Sequence, residues 1–439
     1  MTTSSKHLFK ASLVAVSVAA ASSAYSAGFA LNDHSATASG TALAGAAASG
    51  ADISFSYWNP ALFLNATETT VYVSGAYVMP SMDVTVNSAN SADANGSAPG
   101  GVSPLGTQST NDSVDNTLVP SLYLAMPVSE KTVAGISLNV PFGLSGDYGD
   151  EWAGRYHATE TGIQDIALSF ALAHRLSSWA SVGASVQIHT AEVVLASQVG
   201  FPSAEGNGYI EADDTSYGYS LGAALEPVKG TRIGLGYRSE VDFDFKGDVK
   251  YKNVATLNGA LGVAGQPTLD NTTVSDSITF PSVLTLSVEQ DLTAKLILSL
   301  TAMRTGWGSM DELRIDFDSN QSDSVLTFGF EDQWFYSAGL TYAHSEKLTL
   351  RTGVAVDNSP VTDEYRSART PDGDRTWLSL GGTYSLNDMT SLTFAYTHVM
   401  IDDVSVSRDG TGEDAARGTL DADYESSANV FSVAMNMAF

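Results

Sequence analysis

Val430-Phe431-Ser432-Val433-Ala434-Met435-Asn436-Met437-Ala438-Phe439 closes the chain. Phe431, Val433, Met435, Met437 and Phe439 take every second position, with small or polar residues between them. Period two puts the large apolar set on one side of an extended strand and the small set on the other. Reading back from that end, the same pattern recurs in segments of about ten residues separated by polar or Gly-rich breaks. Ile166, Leu168, Phe170 and Leu172 alternate with Ala167, Ser169 and Ala171; Val182, Ala184, Val186 and Ile188 with Gly183, Ser185 and Gln187; Tyr217, Tyr219, Leu221, Ala223 and Leu225 with Gly218, Ser220 and Gly222. In a further segment Ile233, Leu235, Tyr237, Val241, Phe243 and Phe245 are expected on one face, opposite Arg232, Arg238, Glu240, Asp242 and Asp244.

A soluble β-sandwich alternates too. Three features favour a membrane barrel with lipid outside and a polar lumen. The segments are longer than the usual ~5–6 residues of soluble strands. Aromatic residues recur near segment ends (Tyr72, Tyr77, Trp179, Trp334, Trp377, Tyr384, Tyr396), where interfacial girdles belong. The alternating terminus ending on Phe439 resembles the assembly signal of bacterial outer-membrane barrels. About fourteen strands follow from this pattern, starting near Thr69, Thr117, Thr132, Gln164, Ala180, Ser216, Arg232, Ser277, Lys295, Trp334, Leu348, Thr376, Leu392 and Asn429, with Asp311 to Phe317 extending the ninth. The expected fold is all-β, a 14-stranded antiparallel transmembrane barrel.

The amino terminus reads as an export signal. Lys6 and Lys10 precede the apolar run Ala11 to Ala21, and Ala24-Tyr25-Ser26 offers small residues for cleavage after Ser26. Beyond it no stretch approaches the ~18 apolar residues of a membrane helix. The chain contains no cysteine, so it crosses an oxidising compartment without disulfides. A formal charge of −28, from 49 acidic against 21 basic residues, excludes nucleic acid as a partner. The acidic blocks read as solvated loops, with divalent-cation binding beside lipopolysaccharide as a further possibility.

Fourteen strands enclose a lumen wider than side chains can fill. Residues 27–66 lack strand alternation and carry the small-residue run Gly40-Thr41-Ala42-Leu43-Ala44-Gly45-Ala46-Ala47-Ala48, which suits a plug compacted inside the wall. Residues 67–439 then form the barrel. The third segment contains Pro141-Phe142-Gly143. Proline cannot donate to a ladder and glycine weakens it, so these residues either end the strand beyond the bilayer or open the wall.

The residues then take on a family likeness. Ala27-Gly28-Phe29-Ala30-Leu31-Asn32, the small-residue run, and Trp58-Asn59-Pro60-Ala61-Leu62 resemble the amino-terminal hatch of the FadL family of outer-membrane long-chain fatty acid transporters. Tyr237 to Gly247, Arg351 to Val361 and Pro371 to Ser379 resemble its seventh strand, its eleventh strand and the loop entering its twelfth. The resemblance implies a monomeric barrel plugged by a hatch whose signature is Asn59-Pro60-Ala61. It implies a kink at Pro141-Phe142-Gly143 that opens the wall sideways, with ligand captured by outer loops and released into the bilayer. The positions of the family's basic pair fall near Ser197 and Glu331, so a carboxylate would need other donors, with Arg238, Arg304 and Arg314 as candidates. A family branch that imports aromatic hydrocarbons needs no such cation. The implied partners are a hydrophobic ligand, outer-membrane lipids and the barrel assembly machinery.

The competing readings are a general porin and an outer-membrane hydrolase. His398 with Asp402 and Asp403, and the pair Asp213-Asp214, lack a third orienting group. The seven His show no metal spacing, and there is no Walker loop or dinucleotide fingerprint. Neither catalysis, a cofactor nor a metal is expected.

Overall fold

The computed structural model describes residues 28–92, 103–110 and 113–439. The export signal read at residues 1–26 lies outside the described residues.

The alternating segments form a ring of fourteen antiparallel strands. These are β1 (Thr70–Ser91), β2 (Thr117–Ser129), β3 (Thr132–Asp147), β4 (Glu160–Arg175), β5 (Ala180–Phe201) and β6 (Ala204–Val228). Next come β7 (Thr231–Arg238, then Val241–Lys252), β8 (Thr272–Phe280, then Val283–Asp291), β9 (Leu296–Thr305, then Glu312–Phe317) and β10 (Ser324–Thr327, then Gln333–Ala343). The ring ends with β11 (Leu348–Asp357), β12 (Arg375–Ser385), β13 (Thr390–Ile401, then Val404–Asp409) and β14 (Thr419–Ala438). Each strand pairs with the next. β14 returns to β1 in the register Thr70↔Ala438 to Val78↔Val430, and Phe439 N–H donates to the Thr69 carbonyl at 2.9 Å. Pairing of the last strand with the first removes the free sheet edge, the condition for crossing lipid with strands.

Outward positions carry exposed Val73, Leu122, Phe170, Val186, Tyr219 and Leu380, while Ser121, Ala167, Ser169, Ser185 and Gln187 face inward and are buried. Short turns such as Glu130-Lys131 and Lys229-Gly230 lie at one end of the ring and long connections at the other. In outer-membrane barrels the short turns face the periplasm. β1, β5, β6 and β14 run to 22, 22, 25 and 20 residues. That is about twice the ~9–11 that span a bilayer, so the wall extends past the membrane on the long-loop side.

Two readings of side-chain direction need correction. Tyr77, Trp179, Trp334, Tyr384 and Tyr396 are exposed as a girdle requires, but Tyr72 and Trp377 are each 1% exposed and face the lumen. They occupy the inward parity of strands whose outward residues are Val73 and Leu378. The single face expected for Ile233 to Phe245 is also overturned. Leu235 points outward, whereas Val241, Phe243 and Phe245 are buried inside. β6 pairs Ser220↔Arg238 in its lower half and Asp213↔Lys246 in its upper half, a slip of one residue. A one-residue bulge at Ser239-Glu240 exchanges the two faces.

Residues 28–66 fold inside the ring as a four-residue helix α1 (Ala36–Ser39) and two 3-10 turns (Ile53–Tyr57 and Pro60–Asn65). Nearly all of residues 29–49 are buried. Their backbone lies directly on the wall. A Cβ at Gly236 of β7 would sit 1.7 Å from the Trp58 carbonyl oxygen, and one at Gly353 of β11 would sit 2.0 Å from that of Thr41. Thr301 Oγ1 of β9 accepts from Gly45 N–H at 2.9 Å, and Ser287 Oγ of β8 accepts from Ala47 N–H at 2.9 Å. Ala42 and Leu43 hold φ of 50° and 63°, the left-handed region disfavoured for side-chain-bearing residues. The small-residue run thus turns tightly against several strands at once.

Candidate functional site

The inverted upper halves of β7 and β8 give the interior an apolar top. β8 breaks at Pro281-Ser282, level with the β7 bulge, and turns Val274, Ile278 and Phe280 inward above an outward Leu284 and Leu286. Phe280 is the hub of an aromatic cluster, with ring centroids 4.9 Å from Phe243, 5.0 Å from Phe142 and 5.5 Å from Phe29. Trp307, from the interruption of β9, lies 4.7 Å from Phe29. Above this cluster is a small cavity of about 30 Å³ lined by Ile163, Val193, Leu195, Ile278, Leu313 and Phe328. Beyond it a cleft of about 480 Å³, open at its mouth, runs between the upper parts of β5, β6 and β9 and the loop helix α2 (Ala255–Val263). Below the aromatics a third, smaller cavity of about 20 Å³ is lined by Leu31, Tyr57, Trp58, Pro141, Phe142 and Arg238.

That lower cavity abuts the irregular part of β3. The β2–β3 ladder ends at Leu122↔Leu138. β3 itself does not end there; it continues to Asp147, with a one-residue slip against β4 between Asn139↔Ala167 and Phe142↔Asp165. Across the slip the backbone finds its partners inside the barrel. Leu31 N–H donates to the Pro141 carbonyl at 2.8 Å, and Gly143 N–H donates to the Phe29 carbonyl at 2.9 Å. The chain entering the lumen therefore replaces the missing wall neighbour, which satisfies groups that would otherwise be costly.

Asn59, Pro60 and Ala61 sit at the base of this assembly. Asn59 caps the second 3-10 turn, its Oδ1 accepting from Ala61 N–H at 3.0 Å, and Pro60 takes the first turn position, where a missing N–H is harmless. Asn59 Nδ2 donates to the Ala47 carbonyl at 2.7 Å and to the Ala223 carbonyl of β6 at 2.9 Å. One side chain thus ties the small-residue run, the turn and the wall together.

Of the three arginines singled out in the sequence, Arg238 alone faces the interior. It is buried, its guanidinium donates to the hydroxyl and carbonyl of Tyr57 at 2.5 and 2.8 Å, and its Cζ stands 3.8 Å over that ring. Arg304 and Arg314 take the outward parity of β9 and pair with Asp332 and with Glu312 and Asp323. Neither lines any of the three cavities, although Asp323, the partner of Arg314, lies on the wall of the cleft. Ser197 lines the cleft. Arg369, in the connection from β11 to β12, was not foreseen. It reaches across to donate to the Glu160 carbonyl (2.9 Å), Thr161 Oγ1 (2.9 Å) and the Ala196 carbonyl (3.0 Å). The only local sign was basic character in an acidic chain, at Arg366-Ser367-Ala368-Arg369. Asp165 and His189 form a buried pair at 2.9 Å beside the β3 slip. Their separation in sequence hides it.

The model of the family described as outer membrane protein transport protein (OMPP1/FadL/TodX) matches residues 17–439. The chain belongs to this family. A long-chain fatty acid transport protein of Escherichia coli O6:H1 is 30% identical, over 99% of this chain and 100% of that protein. Outer membrane protein P1 of Haemophilus influenzae is 28% identical, over 98% and 99%. A Pseudomonas aeruginosa FadL homologue superposes with a TM-score of 0.84 at 24% identity, covering 94% of this chain and all of the other. The Pseudomonas putida toluene transporter TodX superposes at 0.66 and 16% identity, covering 94% and 99%. As a member of the OMPP1/FadL/TodX family the chain is an outer-membrane transport barrel for hydrophobic small molecules and not an enzyme.

Proposed function

We propose that this barrel takes up long-chain fatty acids and releases them sideways into the outer membrane. The observation that carries the reading is the stack of apolar cavities leading from the outer cleft to the interrupted wall at Pro141-Phe142-Gly143. A hydrocarbon tail gains free energy at each apolar surface it meets and gains it again in lipid, so an aqueous exit is unnecessary. Residues 27–66 act as the hatch, and Asn59-Pro60-Ala61 holds it shut. Backbone bonds from Phe29 and Leu31 to β3 link hatch position to the kink, so movement of the hatch frees the lateral opening. A monomer suffices, because every strand partner lies within the chain. Phe439 is the residue the assembly machinery reads.

Uptake of aromatic hydrocarbons is the second reading, supported by the purely apolar lining of the middle cavity apart from Arg369 and its neighbours Thr161 and Thr370. A general porin is disfavoured by a lumen filled with residues 28–66. Uptake of labelled oleate and of labelled toluene by a strain deleted for this gene, with and without the gene restored, separates them. Restored oleate uptake is expected. Restoration of toluene uptake alone would move the chain to the aromatic branch, and a large steady ion current in planar bilayers would favour a porin.

A further inference from the structure

Among the described residues Arg369 is the one that lines the outer cleft, the apolar cavity above the aromatic cluster, and a further cavity of about 70 Å³ beside Tyr148 and Asp372. It stands where a ligand passing inward from the cleft meets the mainly apolar lining of the middle cavity. Its three hydrogen bonds are to uncharged oxygens, and among the described residues no carboxylate pairs with it. Arg417 also lines the cleft and shares Asp414 with Arg408, whose second contact is Glu413. Arg408 and Arg417 are thus matched by Asp414 and Glu413, and Arg369 alone of the three has no carboxylate, in a chain whose net charge is −28. Burial above all, with the nearby Arg417, lowers the pKa of the Arg369 guanidinium to about 9. A buried charge without a partner is costly, and a ligand carboxylate would supply one.

We propose that Arg369 is the head-group anchor for a carboxylate amphiphile, holding the anion at the junction while the tail lies among Ile163, Leu195, Ile278 and Phe328. This anchor deepens the fatty-acid reading and rests on it. The geometry separates charge recognition from tail recognition, so an uncharged ligand of the same chain length reports the tail alone.

The test is equilibrium binding of oleate and of oleyl alcohol to the purified full-length barrel, as wild type, Arg369→Gln and Arg369→Lys. Folding is checked by heat-modifiable migration on gels. Loss of the charge-assisted bonds should weaken oleate roughly tenfold to a hundredfold in Arg369→Gln. Oleyl alcohol should bind it as it binds wild type. Arg369→Lys keeps the charge and should keep the preference for oleate, which also covers the case in which the Gln variant fails to assemble. Unchanged oleate affinity in the Gln variant, equal losses for both ligands, or a Lys variant without preference for oleate would each overturn the proposal. A wild-type barrel that binds oleyl alcohol but not oleate would remove the fatty-acid reading and this anchor with it.

Discussion

Gly236→Ala probes how the interior segment is held. The added Cβ would lie 1.7 Å from the Trp58 carbonyl oxygen and 2.8 Å from its carbon, where contacts below 3.0 Å do not occur. The obstacle is backbone, so no side chain can swing aside, and Trp58 must move by more than 1 Å. Asn59 follows it directly. Its bonds to the Ala47 and Ala223 carbonyls and its cap on Ala61 are 2.7, 2.9 and 3.0 Å long and fail under such a shift. At about 1 kcal/mol net for each bond, the seated state loses roughly 3 kcal/mol, or about a hundredfold in population. The β-ladder of β7 is untouched, so the barrel should assemble. Planar-bilayer conductance should rise above wild type, and cells should become sensitive to large antibiotics. Gly382→Ala, whose Cβ meets nothing nearer than 3.4 Å, is the control and should behave as wild type. An assembled Gly236→Ala barrel with wild-type conductance would refute the reasoning.

Phe142→Ala removes the ring that packs 5.0 Å from Phe280 and 5.9 Å from Phe29 between the middle and lower cavities. Truncating a packed Phe costs about 3–5 kcal/mol, and the joined cavities should speed initial oleate uptake; slower or unchanged uptake would count against an aromatic partition. His157, in the loop between β3 and β4, is buried beside Asp414, Arg408 and Arg417, and burial above all holds its pKa at about 4 against an ordinary 6.5. The neutral imidazole therefore supports the packed loops fully above pH 6.5, and that support is lost as pH falls through about 4. Hydrogen exchange at residues 152–158, corrected for intrinsic rates, should accelerate on acidification, and His157→Gln should remove that dependence; a dependence that survives in the variant assigns it elsewhere.

The ring was legible because each strand carries its own alternation, and the register closes on Phe439 as the terminal pattern suggests. The length of β6 was not, because Ala204 to Thr215 stands beyond the bilayer, where acidic residues such as Glu211 and Asp213 replace the apolar outward set. The face exchange in β7 was invisible for another reason. Apolar residues hold every odd position from Ile233 to Phe245 except Ser239, and one serine in an otherwise regular run does not by itself announce a residue left out of the ladder. This slip matters most for the site, since it turns Phe243 and Phe245 from lipid toward ligand. Asn59-Pro60-Ala61 was readable as local turn chemistry. Arg369 was not, because its partners Glu160 and Ala196 are brought to it only by closure of the ring.

The lateral exit rests on the extra residue in β3. Deleting Pro141 removes the slip between Asn139↔Ala167 and Phe142↔Asp165 and lets the strand continue in one register. Uptake of labelled oleate by cells carrying the assembled deletion variant is the most direct measurement. Uptake should fall to the level of cells lacking the gene while purified barrel still binds oleate. Uptake at the wild-type rate through a continuous third strand would contradict sideways release.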